Sequence, residues 1–163
     1  MPRWQSQELA ARLLCREEMS KRTTFANAQI YRVAGFRHSV VLYDDRIAWY
    51  RNLGSGTFGA QQVVTADPDG IGGAEGPADG ASSVVAADLD RDGDLDLLAA
   101  ASLANKIVWY ANLDGDGSFG TAQFVSPNTA GVSRAIATDV DHDGDLDVAY
   151  GATIVNLVAW HEN

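Results

Sequence analysis

An internal repeat of 51 residues constrains the fold of this chain more than any other feature of its sequence. The segment D-L-D-R-D-G-D-L-D at residues 88–96 recurs as D-V-D-H-D-G-D-L-D at residues 139–147. At the same offset, K-I-V-W-Y-A-N at residues 106–112 recurs as L-V-A-W-H-E-N at residues 157–163. Two unlike landmarks that keep one spacing are hard to obtain by chance, and such self-similarity is typical of repeat folds.

A third copy of the tryptophan segment, R-I-A-W-Y-R-N, lies at residues 46–52, which is 60 residues before its partner. The additional length falls in residues 67–80, where five Gly and two Pro indicate an inserted surface loop. In the first two copies a glycine-rich turn follows the tryptophan segment, at residues 54–59 and 115–120. The chain therefore contains two clear repeats and one eroded repeat.

Each repeat has the pattern of four short antiparallel strands. In the tryptophan segment, Ile107, Trp109 and Ala111 alternate with Val108 and Tyr110, and this period of two predicts a strand. Four such strands in about 50 residues match one blade of a β-propeller. The other expected strands of the two clear repeats occupy residues 83–87, 95–100 and 123–125, and residues 134–138 and 146–150.

The N-terminal part of the chain carries weaker signals. Residues 30–43 have the composition of two further strands without an Asp-rich loop, which makes the first blade degenerate. Before them, Leu9 and Leu13 occur at helical spacing after Ser6, a candidate N-cap. We therefore expect an N-terminal helical or irregular segment at residues 1–27, followed by repeats at about residues 28–66, 82–127 and 133–163.

Composition and charge exclude several classes of protein. Apolar residues make up 46% of the 163 positions, which suffices for one sizeable core, and no apolar run is long enough to span a membrane. The formal net charge of −10 disfavours a nucleic-acid binder, which needs a basic surface. The single Cys15 excludes an internal disulfide and a cysteine-based metal site. The first 20 residues lack the apolar stretch of a secretory signal peptide.

The negative charge is concentrated in the two Asp-rich segments. They contain ten of the 22 acidic residues, and the other 12 acidic residues are nearly balanced by 11 basic ones. Two like charges about 4 Å apart repel by about 1 kcal/mol even in water, so five carboxylates in nine residues favour a bound cation. Hard oxygen ligands suit Ca²⁺, which accepts about six to eight of them, or Mg²⁺.

The spacing within each segment assigns candidate ligands. With the first Asp as position 1, side chains at positions 1, 3, 5 and 9 and the main-chain carbonyl of position 7 can bind a cation, and Gly at position 6 allows the turn. Position 12 is Ala99 or Tyr150, so neither segment is an EF-hand, which needs Glu there. A solvated acidic turn without an ion is the alternative. The candidate metal residues are Asp88, Asp90, Asp92, Asp94 and Asp96, and Asp139, Asp141, Asp143, Asp145 and Asp147.

Other residues have competing interpretations. Trp49, Trp109 and Trp160 keep one register with neighbouring aliphatic residues, which favours packing between sheets over a ligand-binding aromatic face. The D-G-D-G turn at residues 114–117 is more typical of a plain hairpin turn than of an additional cation site. The histidines share no ligand spacing and are expected at the surface; they are His38, His142 and His161.

These motifs resemble the FG-GAP/VCBS repeats, which build the seven-bladed propeller head of integrin α subunits. The resemblance rests on the two Asp-rich segments, on W-Y-x-N followed by a glycine-rich turn, and on Phe-Gly at residues 58–59 and 119–120. It covers residues 46–163 and, more weakly, residues 28–45. It implies β-propeller blades with a structural Ca²⁺ in the hairpin loop between the first two strands, hence two calcium sites. It also implies extracellular or cell-surface adhesion, with a protein or a glycan as the ligand.

The chain departs from a closed propeller, which usually has four to eight blades. We therefore expect an all-β, open or partial propeller of about three blades, the first degenerate and the last incomplete, whose exposed strand edges can pair with another chain. The expected function is a non-enzymatic calcium-binding module without catalytic residues, nucleic-acid ligand or membrane insertion, because the crowded carboxylates suit an ion better than acid–base chemistry. The alternatives are an accessory repeat domain of a larger secreted hydrolase and a non-functional fragment of a longer repeat protein.

Overall fold

The structure is a computed structural model that describes residues 29–32, 38–43, 46–55, 57–65 and 76–163. The N-terminal helix and the segment boundary expected at residue 27 lie outside these residues. The strands are β1 (Gln29–Arg32), β2 (His38–Tyr43), β3 (Arg46–Gly54), β4 (Thr57–Val63), β5 (Ala81–Ala87), β6 (Asp96–Ala101), β7 (Lys106–Tyr110), β8 (Gln123–Ser126), β9 (Val132–Thr138), β10 (Asp147–Ala152) and β11 (Leu157–His161).

The strands form three antiparallel sheets, and within each sheet neighbours in the chain are neighbours in space. The first sheet contains β1 to β4, the second sheet β5 to β8 and the third sheet β9 to β11. Each sheet is open, and its strands are paired in hairpins. The described part of the chain contains no helix, so the expected all-β, antiparallel class is confirmed there.

The 51-residue repeat of the sequence is also a repeat of strand register. In the second sheet Leu98 lies opposite Trp109, and in the third sheet Ala149 lies opposite Trp160. Trp49 occupies the same place in the first sheet, on its third strand β3. Each tryptophan segment therefore forms the third strand of a sheet, as its alternating pattern indicated.

The hydrophobic core lies in two layers, one on each side of the second sheet. Every residue of β6 is buried, and the side chains alternate between the layers. This explains why β6 is a continuous apolar run after Asp96, which is typical of a strand covered on both faces. The first layer includes Ile47, Trp49, Val84, Leu97, Val108 and Tyr110, and the second includes Leu89, Leu98, Ile107, Val132, Ala135 and Val148.

Serine side chains connect the first strands of the second and third sheets. Ser82 Oγ donates a hydrogen bond to the carbonyl oxygen of Ser133 at 3.0 Å, and the Ala135 N–H donates to Ser83 Oγ at 3.1 Å. β5 and β9 therefore run next to each other, and the hairpin loops that follow them lie close together.

The face of the third sheet that points away from the second sheet is exposed. Val158 in this face is 87% exposed, whereas its equivalent Ile107 is fully buried. Trp160 is 41% exposed, whereas Trp49 is 6% exposed because it packs against the second sheet. The prediction that the tryptophans pack between sheets is therefore confirmed for Trp49, while Trp160 is only partly covered.

Candidate metal centre

Each Asp-rich segment forms the hairpin loop between the first two strands of a sheet. The first loop, residues 88–95, joins β5 to β6, and the second loop, residues 139–146, joins β9 to β10. Asp96 and Asp147, at position 9 of their segments, are the first residues of β6 and β10. The strand–loop–strand setting expected from the sequence is therefore present in both repeats.

Three carboxylates converge in the first loop. One ligand oxygen from each of Asp88, Asp90 and Asp96 lies within 4.8 Å of the other two. These residues are positions 1, 3 and 9 of the predicted ligand set, and three carboxylates so placed could hold a cation. The group does not include the side chains at positions 5 and 7, which are Asp92 and Asp94.

The second loop repeats this convergence. Oxygens of Asp139, Asp141 and Asp147 lie within 4.8 Å of one another, again at positions 1, 3 and 9. Asp143 and Asp145 lie outside this group. The ten aspartates predicted as ligands are therefore divided in the same way in both loops, and their binding of an ion stays a prediction.

The carboxylate at position 9 also holds its loop to the sheet. Asp96 is fully buried; its Oδ2 accepts a hydrogen bond from the Leu89 N–H at 3.0 Å, and its Oδ1 accepts one from the Asn112 N–H at 2.9 Å. The equivalent Asp147 is also fully buried and accepts the corresponding bonds at 2.8 and 3.1 Å. These bonds offset part of the cost of burying a carboxylate.

The Asn that ends the second and the third tryptophan segments braces the neighbouring Asp-rich loop, a role that the sequence pattern did not indicate. Asn112 is buried; its Nδ2 donates to the carbonyl oxygen of Leu95 at 3.1 Å, and its Oδ1 accepts from the Gly117 N–H at 3.2 Å. Asn163 donates likewise to the carbonyl oxygen of Leu146 at 3.2 Å. The constant offset of 16 residues from position 9 to this Asn is the signal that could have identified it.

Carboxylates of the first loop order its backbone. Asp90 Oδ1 accepts a hydrogen bond from the Asp92 N–H at 3.3 Å, and Asp92 Oδ1 accepts one from the Asp94 N–H at 2.8 Å. Asp88 Oδ2 accepts from the N–H of Gly93 at 3.1 Å. Gly93 has a φ of +95°, which side-chain-bearing residues rarely adopt. The glycine at position 6 is therefore required by the turn, as its spacing predicted.

Two buried carboxylate oxygens in the loops lack a hydrogen-bond partner. They are Oδ1 of Asp88 in the first loop and Oδ1 of Asp145 in the second. An unsatisfied buried carboxylate oxygen is costly, and coordination of a cation by the first converging group would satisfy the oxygen of Asp88, which belongs to that group. The donors of both loops are hard oxygens, which match a hard divalent cation. The residues present therefore fit such an ion.

The environment raises the pKa of two carboxyl groups of the first repeat. Burial raises the pKa of Asp96, and the hydrogen bonds from Asn112 and Leu89 oppose this shift. Desolvation is the main cause that raises the pKa of Asp94, and the negative charge of Asp92 is the next largest cause. In both groups desolvation is the main cause, and neighbouring carboxylates add to it.

The D-G-D-G turn between β7 and β8 is self-contained. Asp114 Oδ1 accepts hydrogen bonds from the N–H groups of Asp116 at 2.9 Å and Ser118 at 3.0 Å, and Oδ2 accepts one from the Ser118 hydroxyl at 2.5 Å. These hydrogen bonds lower the pKa of Asp114 to about 2, and the bonds from Ser118 contribute most to this shift. Because the turn itself uses both oxygens, the geometry favours the plain hairpin turn over an additional cation site.

An open cleft of about 480 Å³ lies between this turn and the first sheet, which also contact each other. Trp49 lines the cleft, but its indole packs against Gly117, where a Cβ would overlap the ring. Arg51 crosses the cleft and donates to the carbonyl oxygen of Asp116 at 3.2 Å. Trp49 therefore presents no exposed face on which a ligand could stack.

The histidines differ from one another in their surroundings. His142 in the second loop is exposed, as expected. His161 is partly buried and stacks on Tyr150, with ring centroids 5.4 Å apart, so it lies only partly at the surface. His38 begins β2.

The two loops contact each other. The guanidinium of Arg91, at position 4 of the first loop, forms an ion pair with Oδ2 of Asp145, at position 7 of the second. The side-chain amide of Asn163 donates a hydrogen bond to the carbonyl oxygen of Leu89 at 2.8 Å. Nothing in the repeat pattern predicted these contacts, because they join residues that are distant in the sequence.

A scan against protein families matches the FG-GAP-like repeat at residues 39–99 and at residues 88–150. Searches of the curated proteins and of the solved structures find no match. Among the residues that the structure describes, no helix has the length and apolar character needed to cross a bilayer. The two family matches cover most of the chain and include both converging carboxylate groups. The chain belongs to the FG-GAP-like repeat family.

Proposed function

We propose that this chain is a calcium-binding repeat module in which the cation has a structural role. The observation that carries the proposal is the convergence of Asp88, Asp90 and Asp96, repeated in the second loop. Three carboxylate oxygens within 4.8 Å of one another repel unless a cation or protons lie among them. The unpartnered Oδ1 of Asp88 gives independent support.

Calcium suits the proposed sites better than magnesium. Each loop offers several carboxylates and a main-chain carbonyl at position 7, all within nine residues. Ca²⁺ accepts about six to eight oxygen ligands in a flexible arrangement, whereas Mg²⁺ demands near-ideal octahedral geometry and retains several waters. A loop rich in its own oxygen donors therefore favours the larger ion.

A bound cation would neutralise the repulsion among the loop carboxylates. Residues of the loop connect it to the sheets, so an ordered loop also stabilises their packing. Asp96 holds the loop to the N–H of Asn112, beyond β7, and the Leu89 side chain packs in the core layer between the second and third sheets. The proposed role of the ion is therefore to keep each hairpin closed and the neighbouring sheets packed.

Calorimetry of the chain in calcium and in EDTA tests this role. At a calcium concentration 100 times the Kd, binding at each site adds about 2.7 kcal/mol to the free energy of unfolding. For a domain of this size, that corresponds to a rise in Tm of several degrees, roughly 5 to 10 °C. An equal Tm in calcium and EDTA contradicts the proposal.

A matched variant separates loop binding from other effects of calcium. Asp90→Asn combined with Asp141→Asn removes one exposed carboxylate from each converging group. We expect the melting temperature of this variant to be nearly the same in calcium and EDTA. Magnesium at the same concentration is expected to raise the Tm of the wild-type chain less than calcium does.

The proposed module serves binding or adhesion outside the cell or at its surface, with a protein or a glycan as partner. Membership of the FG-GAP-like family supports this role. The exposed apolar side chains of Val158 and Trp160 support a macromolecular partner, because exposed apolar patches mark interaction surfaces. A glycan-array signal that Trp160→Ala abolishes would identify a carbohydrate ligand, and no signal in the wild-type chain would favour a protein.

The proposed arrangement is a non-enzymatic, partial propeller of about three blades. The packing of the first strands β5 and β9 supports stacked blades. Within the described residues, β11 pairs with β10 alone, which leaves one edge of the third sheet open. An open edge can accept a strand from another chain, and this is the proposed place for such pairing.

A further inference from the structure

The ion pair between the loops joins two places where a cation is proposed to bind. Arg91 has a φ of +63°, which places it in the left-handed region at position 4 of the first loop. Its guanidinium contacts Asp145, whose side chain is 19% exposed. Asp145 is position 7 of the second loop, the residue whose main-chain carbonyl is a candidate ligand. The conformation of the first loop therefore bears directly on a ligand residue of the second.

Asn163 supplies a second connection between the loops. Its backbone N–H donates to Asp147 Oδ1 at 3.1 Å, and its side-chain amide donates to the carbonyl oxygen of Leu146 at 3.2 Å. The same amide donates at 2.8 Å to the carbonyl oxygen of Leu89 in the first loop. One side chain thus braces the second loop against the backbone of the first.

We propose that these contacts couple the two loops, so that a calcium ion bound in one raises the calcium affinity of the other. The inference rests on the proposed calcium-binding function. A cation that orders the first loop also holds Arg91 in place, and Arg91 in turn holds Asp145. Binding of the second ion then costs less conformational entropy, because its loop is already ordered. By linkage, an ion in the second loop raises the affinity of the first loop by the same factor.

Electrostatic repulsion between the ions acts against this coupling, and the excess of carboxylates in both segments reduces it. The first Asp-rich segment has a net charge of −4 because it contains Arg91, and the second has −5. After each binds one Ca²⁺, the segments carry −2 and −3. A loaded loop therefore still has a negative charge and does not repel the second ion as a bare cation would.

Replacement of Arg91 separates the effect of its contact with Asp145 from the effect of its positive charge, because the two effects change the calcium affinity in opposite directions. Arg91→Gln removes a positive charge beside the second loop, so charge alone predicts tighter calcium binding. The proposed coupling predicts weaker binding, because Asp145 loses the group that holds it. Arg91→Lys keeps the charge and can reach the same carboxylate as a point charge, without the guanidinium fork.

Isothermal titration of the full chain with calcium tests the proposal. In the wild-type chain we expect two ions to bind cooperatively. In Arg91→Gln, which leaves the Asn163 contact in place, we expect weaker cooperativity, with affinity at the weaker step lowered about five-fold or more, the lower end of typical coupling. Arg91→Lys is expected to restore part of the cooperativity. The matched control is Arg134→Gln, which removes an exposed charge from β9 outside both loops and is expected to titrate like the wild type.

A spectroscopic measurement reports the coupling without relying on affinity. Asp139→Asn combined with Asp141→Asn disables the second site, so that calcium occupies the first loop alone. In this background, calcium is expected to shift the backbone amide NMR signals of Asp145 and Leu146. The additional change Arg91→Gln is expected to reduce that shift.

Each result of these experiments has a defined meaning. Independent steps in the wild-type chain, or unchanged or tighter binding in Arg91→Gln, overturn the coupling and leave the proposed calcium binding intact. Absence of any calcium binding overturns both. Far-UV circular dichroism of the variants in EDTA verifies that each is folded, so a weaker affinity cannot be assigned to unfolding.

Discussion

The carboxylate of Asp96 accepts a hydrogen bond from the backbone N–H of Asn112 at 2.9 Å, which joins the start of β6 to the chain just beyond β7. Asp147 and Asn163 form the equivalent bond at 3.1 Å in the third sheet. Asp96 also belongs to the converging carboxylates of the first loop. The same side chain therefore braces the fold and lies where a cation is proposed to bind.

This dual position predicts different behaviour for two aspartates of the same loop. In EDTA, Asp96→Ala leaves the Leu89 and Asn112 N–H groups without their acceptor, and we expect a loss of about 2 kcal/mol or more of unfolding free energy. Asp90→Ala, at an exposed position, is expected to change it by about 0.5 kcal/mol or less. Urea denaturation measures both, and equal losses would show that Asp96 is not a brace.

Asn112 is predicted to matter for stability without being a cation ligand. Asn112→Ala leaves the Leu95 carbonyl and the Gly117 N–H without a side-chain partner, and we expect a loss of about 1 to 3 kcal/mol in EDTA. The exposed Asn128→Ala is the control and is expected to lose about 0.5 kcal/mol or less. Chemical denaturation checks the difference, and similar values for both variants would contradict the bracing role.

Gly117 is predicted to tolerate no side chain because Trp49 occupies the space. Gly117→Ala combines an unfavourable φ of +102° with overlap of the new Cβ and the indole ring, and we expect a loss of about 3 kcal/mol or more. Gly93→Ala has a similar φ of +95° and nothing within 4 Å, so strain alone should cost about 1 to 2 kcal/mol. Equal losses in urea denaturation in EDTA would exclude the steric contribution.

The hydrogen bond from Ala135 of β9 to Ser83 of β5 predicts that loss of the Ser83 hydroxyl lowers the free energy of unfolding. Ser83→Ala removes the acceptor of the Ala135 N–H, which is a buried donor, and we expect a loss of about 1 to 3 kcal/mol. Ser82→Ala removes a hydroxyl donor that the carbonyl oxygens of Ala100 and Ser133 share. Because a carbonyl oxygen with too few hydrogen bonds is better tolerated than an unpaired N–H, we expect a loss of about 1 kcal/mol or less of unfolding free energy. Thermal unfolding in EDTA compares them; a larger effect at Ser82 would contradict this assignment.

The hydrogen bonds of Asp114 in its turn predict that the free energy of unfolding depends on pH in the acid range. The hydrogen bonds from Ser118 lower the pKa of Asp114 from 3.8 to about 2, so its carboxylate stabilises the folded state fully above about pH 4. This contribution is lost as the pH falls from about 4 toward 2. In Asp114→Asn it is absent at every pH, so the stability difference between wild type and variant should shrink over this range. Urea denaturation at several pH values in EDTA measures the difference, and a constant difference would contradict the prediction.

Local sequence patterns determined the class of structure and the place of the candidate site. The alternation in the tryptophan segments predicted β7 and β11, and the spacing of Asp and Gly predicted a hairpin loop between two strands. These features are predictable because they depend on neighbouring residues. Strand side chains alternate between faces, and a glycine at position 6 permits the φ of +95° at Gly93.

Only the tertiary structure decided which equivalent residues are buried and which loops touch. Trp49 and Trp160 have the same place in the repeat, yet only Trp49 is covered by another sheet. The ion pair between Arg91 and Asp145 likewise depends on how β5 and β9 pack together. A repeated sequence specifies similar units, but the burial and the long-range contacts of each unit depend on its neighbours in space, which no local pattern encodes.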